Sequence, residues 1–456
     1  MLPKGNPALE VVKILPHKNC GECGVPLCIT FASQLVGGKR LITDCPNLTE
    51  EARLNLEKLY QPPVRGVTIG HNGTGVTLGN ERVLFRHELR FFSPTAIAIL
   101  VDDTLTAQEL EERLHRVSEL VFARMGHQTG VDLLAVRAVS GSASAFADTV
   151  RRTRSLSRLP LVLLATDAPV IEAGLQAVGG EHPLIGMATR ENWRDMARLA
   201  KQYGVPLAVQ AETEALGDLV QSLESVGLYD LVLAPRSAGA THFSASVADL
   251  IRLRELAIAE RQLGYPLMAY PVQPMSAATE VTWASALTAK YASLLLLSAV
   301  EPHALFPLLT LRQSVYTDPT VPAVVAPGLY IEGKPDEQSA IMLTGNFAMT
   351  YSMVSSDIRS ANLSAYLLVA EAKGYSIGVA CLLGTITPDG VLALINETGV
   401  RDKVKHTCLI IPGLMASLKD KIAEATGMEV LVGPIDSRFI PSFMDASWHP
   451  AAKEST

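Results

Sequence analysis

Short, uninterrupted apolar runs alternate with longer amphipathic stretches through the middle of the chain. The runs are residues 96–101, 132–138, 160–165, 183–188, 206–211, 229–234, 266–269 and 293–298, eight in all. Continuous rather than alternating apolarity suits parallel strands covered on both faces. Each run is followed by a helical stretch, such as residues 107–125 after the first and 190–202 after the fourth. Eight successive βα units in roughly 220 residues predict a (β/α)8 barrel, although a doubly wound sheet shares the local pattern.

On either side the pattern changes. Three short helices are expected at 7–14, 26–36 and 49–59, each bounded by Gly, Pro or a capping residue, and Gln61-Pro62-Pro63 closes that unit. Residues 66–92 alternate in the manner of strands, with His71-Asn72-Gly73 and Gly79-Asn80 as turn signals. Residues 317–336 carry Pro319, Pro322, Pro327 and Pro335 and read as an extended linker. A compact α/β unit follows, with strands at 340–343, 365–370, 407–411 and 429–432 and helices near 347–358, 388–396 and 415–426. The predicted organisation is residues 1–60, a barrel over 66–316, the linker 317–336, the α/β unit 337–444 and a tail over 445–456.

Composition narrows the functional classes. The 456 residues are 48% hydrophobic and 19% charged, ample for a globular core and two to four domains. A net charge of −7 argues against nucleic acid or an anionic membrane as partner. The longest uncharged runs, 262–279 and 338–356, carry three prolines in the first and Gln, Asn, Gly and Ser in the second, which does not suit a membrane span. Residues 1–5 lack the apolar run of a secretory signal, so a cytoplasmic protein without disulfides is expected.

Six cysteines therefore need another explanation, and four fall within the first 45 residues. Their spacing is Cys20-x2-Cys23-x4-Cys28-x16-Cys45, with Pro46 after the last. Three thiolates from a tight run and a fourth from a distant segment suit a [4Fe–4S] cluster. Gly21 and Gly24 allow the backbone to fold closely round such a core. A structural zinc is the rival, although zinc sites more often pair two short Cys hairpins. Cys381 and Cys408 lie in apolar segments, where a buried free thiol is the default.

Several strands of the C-terminal unit end in glycine-bearing turns, at Gly345, Gly374, Gly413 and Gly433. The carboxyl ends of strands in an open α/β sheet form the ligand crevice, so a large cofactor is implied there. Neither Gly-x-Gly-x-x-Gly nor a P-loop is present, which disfavours a dinucleotide or a nucleoside triphosphate.

The cysteine run, the eight-unit barrel and then Thr344-Gly345-Asn346-Phe347-Ala348-Met349-Thr350-Tyr351, Lys373-Gly374-Tyr375-Ser376, Ile411-Pro412-Gly413 and Val432-Gly433-Pro434 together resemble the large (gamma) subunit family of the corrinoid iron–sulfur protein. That family is the methyl carrier of the acetyl-CoA decarbonylase/synthase system, and the resemblance covers nearly the whole chain. It implies an α/β protein with a small N-terminal [4Fe–4S] domain, a TIM barrel and a C-terminal Rossmann-like corrinoid-binding domain. Corrinoid contacts would fall at positions matching Thr344, Thr350, Gly374, Tyr375, Ser376, Ile377 and Arg438, where the family pattern has a small residue at the last. The implied activity is that of a corrinoid-dependent methyltransferase component in the reductive acetyl-CoA pathway. It would accept a methyl group from methyl-tetrahydrofolate or another methyl-pterin on Co(I) and deliver it to acetyl-CoA synthase, with the cluster at Cys20, Cys23, Cys28 and Cys45 reactivating Co(II). Implied partners are the small subunit in a heterodimer, a methyl-pterin methyltransferase and acetyl-CoA synthase.

The C-terminal unit lacks an Asp-x-His-x-x-Gly motif, and its histidines, His406 and His449, both read as surface residues, so a base-off corrinoid is expected. Two other readings stay open. One is a pterin-binding barrel methyltransferase, for which Asp102, Asp103, Asp167, Asn192, Glu212, Thr213 and Glu214 at strand ends supply polar groups. The other is a zinc-stabilised interaction scaffold.

Overall fold

Three short helices open the chain, α1 (Pro7–Ile14), α2 (Cys28–Val36) and α3 (Glu50–Tyr60), in a computed structural model that describes residues 7–36, 40, 42–60, 62–71, 73–124, 127–236, 243–270, 276–318 and 322–449. The second helix starts at Cys28 rather than at 26, because Asn19 Oδ1 accepts the Cys28 N–H at 2.8 Å and serves as a cap from outside the helix. Ala8, Val11, Leu15, Phe31, Ala32, Leu35 and Leu56 form a small core against which Cys23, Cys28 and Cys45 pack.

A hairpin of β1 (Val67–Ile69) and β2 (Val76–Leu78) precedes the barrel. The eight expected strands follow as β3 (Ala96–Asp102), then, after a separate hairpin of β4 (Val121–Arg124) and β5 (His127–Gly130), β6 (Leu133–Arg137), β7 (Leu161–Leu164), β8 (Leu184–Ala188), β9 (Leu207–Ala211), β10 (Leu231–Pro235), β11 (Met268–Ala269) and β12 (Leu294–Leu297). Their helices are α4 (Ala107–Ser118), α5 (Ala143–Leu156), α6 (Ala168–Val178), α7 (Trp193–Tyr203), α8 (Leu216–Ser225), α9 (Phe243–Glu255), α10 (Ala277–Ala289) and α11 (Pro302–Tyr316). The strand order β10-β9-β8-β7-β6-β3-β12-β11 is parallel throughout and follows the chain in circular sequence. A parallel bridge from Leu233 to Leu267 joins the two ends. That order selects the barrel over the doubly wound sheet, which reverses direction at a switch point. Ala96, Ala98, Leu133, Ala135, Val162, Val232 and Leu294 fill the interior, and Val67, Ile69 and Leu78 of the first hairpin join the same cluster. Residues 79–92, the later part of the stretch expected to alternate as strands, are irregular, because buried Glu81 gathers the Phe92 and Ser93 N–H groups at 3.0 and 3.1 Å.

The last part of the chain builds a second sheet from β13 (Gly328–Glu332), β14 (Ala340–Gly345), β15 (Ala365–Ala370), β16 (Cys408–Ile411) and β17 (Glu429–Val432), with helices α12 (Ala348–Ser360), α13 (Ile377–Leu382), α14 (Pro388–Thr398), α15 (Lys419–Thr426) and α16 (Ile440–Ser447). Its order is β13-β15-β14-β16-β17, with β13 antiparallel and the rest parallel. Alternate residues of the strands face two separate clusters, Ile341, Leu343 and Leu368 on one side and Met342, Leu367 and Val369 on the other, so both faces are covered. The chain thus divides into two compact units, Met1–Val121 with Gly130–Thr317 and Phe122–Thr129 with Asp318–Thr456.

Three expectations are corrected. The stretch 317–336 is not simply a linker: residues 328–332 form β13, paired along its length with β15. Its prolines stand outside those five residues, so the edge strand donates its N–H groups unhindered. The tail expected from 445 begins inside α16. His406, expected at the surface, is 1% exposed; its Nδ1 accepts the Cys408 N–H at 3.2 Å, its Nε2 lies 3.0 Å from the Ser339 carbonyl, and Trp448 meets it edge-on. Of the other signals, Gln61, Asn72, Pro319, residues 1–5, part of the 262–279 run and residues 450–456 lie outside the described residues. No helix among the described residues is long and apolar enough to cross a membrane.

Candidate functional site

The second sheet reverses its winding between β14 and β16: the chain leaves β14 for β15 on one side and returns to β16 on the other. Crossovers diverging from two neighbouring parallel strands leave a crevice at their carboxyl ends. A cleft of about 360 Å3 lies there. Its walls are apolar, from Leu343, Met353, Ile411, Leu414, Ile435 and Phe443, and its polar groups are few: Thr344, Thr350, Ser376, Asp436 and Ser437. This is the make-up of a small-molecule site.

Thr344, the last residue but one of β14, is wholly buried, and its Oγ1 has no hydrogen-bond partner among the described residues. Such a hydroxyl suits a ligand that supplies the missing bond. Thr350 stands in the first turn of α12, and Ser376 and Ile377 at the start of α13. Of the seven positions expected from sequence, these four converge on the cleft. Gly374 and Tyr375 stand behind them rather than in the lining. Gly374 has φ +72°, open to glycine without strain, and packs against Pro322 and Val324. Arg438 is turned away, its side chain 75% exposed and its guanidinium on Asp436 at 2.6 Å. The small residue facing the cleft in that turn is Ser437. The guanidinium, with the Arg438 N–H, holds the Asp436 carboxyl down at about 2.

Asn346 lies within the Thr344-Gly345-Asn346 motif, yet the sequence does not mark it as a working residue. It is 2% exposed, accepts the N–H groups of Ala372 and Gly374 at 2.9 and 3.2 Å, and donates to Glu371 at 2.9 Å. One amide therefore fixes the turn after β15 against the end of β14. Gly413 has a different task from close approach to a ligand. A Cβ there would lie 2.8 Å from the Ile435 backbone nitrogen, and its N–H donates to the Pro434 carbonyl at 3.0 Å, so the turns after β16 and β17 dock on each other. Among the described residues no histidine lines the cleft; His406 sits just before β16, at the opposite edge of the sheet.

The four N-terminal cysteines share one small enclosure with Leu15, Asn19, Gly21, Val25 and Phe31. Gly21 and Gly24, at φ +77° and +80°, turn the loop so that Cys20 and Cys23 face Cys28 at the start of α2. Cys45 arrives from the distant segment after residues 42–44. Burial pushes its thiol up, the Asn47 N–H pulls it down, and the other three sulfurs push it up. Among the described residues no group of three or more His, Cys, Asp or Glu is arranged to hold a single metal ion. A donor set of four free cysteines around one enclosure fits an iron–sulfur cluster. Of the remaining thiols, Cys408 is buried and donates to Glu429 at 3.2 Å, while Cys381 is half-buried.

Four of the seven polar groups expected at the barrel strand ends, Asp102, Asp103, Asn192 and Glu214, hold loops and helices together. Asp102 takes Arg137 in a two-pronged pair at 2.7 and 2.8 Å, and Asp103 gathers Val139 N–H, Ser140 N–H and Ser140 Oγ. Asn192 bonds the Thr189 N–H and the carbonyls of Thr166 and Met187, and Glu214 pairs with Arg252. Asp167 stands at the start of α6 without a side-chain cap, and Thr213 lies buried in a short turn beside Glu212.

Comparison with known proteins adds to this geometry. The family described as CO dehydrogenase/acetyl-CoA synthase delta subunit matches residues 66–444, and a second family, described by its Fe-S cluster, matches residues 15–47. The chain is 35% identical to the acetyl-CoA decarbonylase/synthase complex subunit gamma of Methanothermobacter thermautotrophicus, over 96% of this chain and 98% of that protein. It is 38% identical to the same subunit of Methanopyrus kandleri, over 96% and 97%. It is 37% identical to the corrinoid/iron-sulfur protein large subunit of Moorella thermoacetica, over 96% and 98%. Among solved structures, dihydropteroate synthase from Thermus thermophilus superposes with a TM-score of 0.40 at 17% identity, covering 55% of this chain and 100% of that one.

Proposed function

We propose, since the chain belongs to the family of CO dehydrogenase/acetyl-CoA synthase subunits that includes the gamma subunits and the corrinoid/iron–sulfur large subunit, that it is a corrinoid methyl carrier with its own electron relay. The observation that carries the reading is one chain holding both an apolar strand-end cleft with an unpartnered Thr344 hydroxyl and a separate four-cysteine enclosure. In this reading residues 1–60 carry a [4Fe–4S] cluster, 66–316 form the barrel and the cleft of the C-terminal domain receives the corrinoid. A corrinoid supplies a cobalt centre that takes up and passes on a methyl group, and the cluster supplies single electrons at low potential.

The chain's residues then have defined tasks. Leu343, Ile377 and Ile411 exclude water from the buried side of the cleft. Thr344 Oγ1 makes to the ligand the hydrogen bond it lacks in the chain, and Thr350, Ser376 and Ser437 orient polar edges around it. The described lining residues include no histidine, so this cleft would offer a bound corrinoid no imidazole nitrogen, and the reading takes the base-off form. Around the cleft Leu382, Ile435 and Phe439 are 86%, 73% and 60% exposed, an apolar rim that calls for cover. A small subunit in a heterodimer supplies it, and a cytoplasmic methyl-pterin methyltransferase and acetyl-CoA synthase exchange the methyl group in turn.

The test is the visible spectrum of the anaerobically purified chain and partner, with iron, sulfide, zinc and cobalt analysis. About four iron and one cobalt per chain, with a corrinoid band lacking the signature of an axial nitrogen, is the expected result. Zinc in place of iron and sulfide, or no cobalt, overturns the reading.

A further inference from the structure

We propose that Asn47 is a positioning residue that raises the reduction potential of the cluster by donating a side-chain hydrogen bond to the sulfur of its ligand Cys20. The inference rests on the cluster reading above. Asn47 Nδ2 lies 3.4 Å from Cys20 Sγ and 2.7 Å from Glu22 Oε2, while its Oδ1 accepts from Lys18 Nζ at 3.2 Å. Its neighbours fix which way the amide points. The oxygen faces an ammonium, which can only donate, and the nitrogen faces a carboxylate and a thiolate, which can only accept; turned over, the amide would set donor against donor and acceptor against acceptor. Both amide hydrogens are thereby used, one on each acceptor.

The other ligand sulfurs have different surroundings. Cys23 Sγ faces the Val25 carbonyl, an acceptor, at 3.7 Å, and the Cys28 N–H is held by Asn19 Oδ1.

Reduction adds one electron to the core and concentrates negative charge on the sulfurs. N–H dipoles aimed at those sulfurs stabilise the reduced form more than the oxidised one, which makes the potential less negative. Lys18 adds to this, since its ammonium polarises the amide whose far end meets Cys20. A low-potential donor that is too low cannot itself be re-reduced, so a fixed hydrogen-bond donor at this position sets where the relay works.

The experiment is an anaerobic redox titration of the full chain with its partner, followed by electron paramagnetic resonance of the reduced cluster, in wild type, Asn47→Leu and Asn47→Asp. With iron and sulfide content unchanged, both variants should titrate at a more negative potential. Asn47→Asp should lie lowest, because it removes the donor and sets a carboxylate beside the sulfur. Potentials that coincide with the wild type, or a rise in Asn47→Asp, overturn the role. Loss of the cluster from both variants would make Asn47 a structural residue and overturn it as well. A wild type without iron and sulfide would sink the cluster reading itself, a different failure.

Discussion

A buried hydroxyl without a partner is a costly group, since leaving its bond unmade costs about 1–3 kcal/mol. Thr344 carries such a hydroxyl in the lining of the cleft, where a bound ligand would supply the missing bond. Thr344→Val keeps the shape and deletes the unmade bond, so its two effects should have opposite signs. The cofactor-free chain should gain up to about 1 kcal/mol in a denaturant melt, while corrinoid retention on dialysis should fall. A variant that holds corrinoid as well as the wild type would remove Thr344 from the site. Arg438 shows the opposite relation between sequence and place. Its position after Gly433-Pro434 singles it out, yet its charge serves the turn through Asp436, and the cleft receives its smaller neighbour Ser437. A one-residue offset in a turn cannot be read from composition, because it depends on which φ/ψ the turn adopts. Asn47 and Asn346 are illegible for a related reason: an amide acquires its role only when distant chain segments bring it acceptors and donors.

At the level of elements, legibility follows burial on both faces. The eight barrel strands and the parallel strands β14, β15 and β16 announce themselves because a strand covered above and below is apolar along nearly its whole length. Strand β13 does not. It is an edge strand of Gly-Leu-Tyr-Ile-Glu, half-exposed until its last residue, lying among prolines that mark a linker equally well. What makes it structural is Glu332, buried at its end, which accepts from Ser355 Oγ at 2.6 Å and pairs with Arg359 at 3.2 Å and so clamps the strand to α12. Exchanging residues 328–332 for a Gly/Ser stretch of equal length separates the two descriptions. A linker would tolerate the exchange. A strand paired with β15 should not: the C-terminal unit should melt earlier and be cut first in limited proteolysis between 318 and 370. Helix α16 is hidden likewise, being eight residues long with Pro441 near its start. It nonetheless gives Ile440 and Phe443 to the cleft.

For the whole molecule, the two candidate sites lie in different compact units of one chain, and this bears on how often electrons must pass between them. Moving a methyl group as a cation equivalent transfers no net electrons, so a redox centre is not needed in every turnover. Under the proposed function its use is repair after adventitious oxidation. On the same reading the N-terminal helices depend on the cluster for order, since their core is a handful of apolar residues packed directly on three of the four cysteines. Cys23→Ala should therefore lose iron and make residues 7–60 sensitive to protease, while leaving the C-terminal cleft intact. Supplied with a strong chemical reductant, that variant should take up one labelled methyl group per corrinoid as readily as the wild type. Given only a protein electron donor after brief exposure to air, it should fail where the wild type recovers. Full iron retention would remove Cys23 from the ligand set. If iron is lost and the chemically reduced variant still cannot be methylated even once, the cluster has a part in the transfer itself and the repair role is wrong.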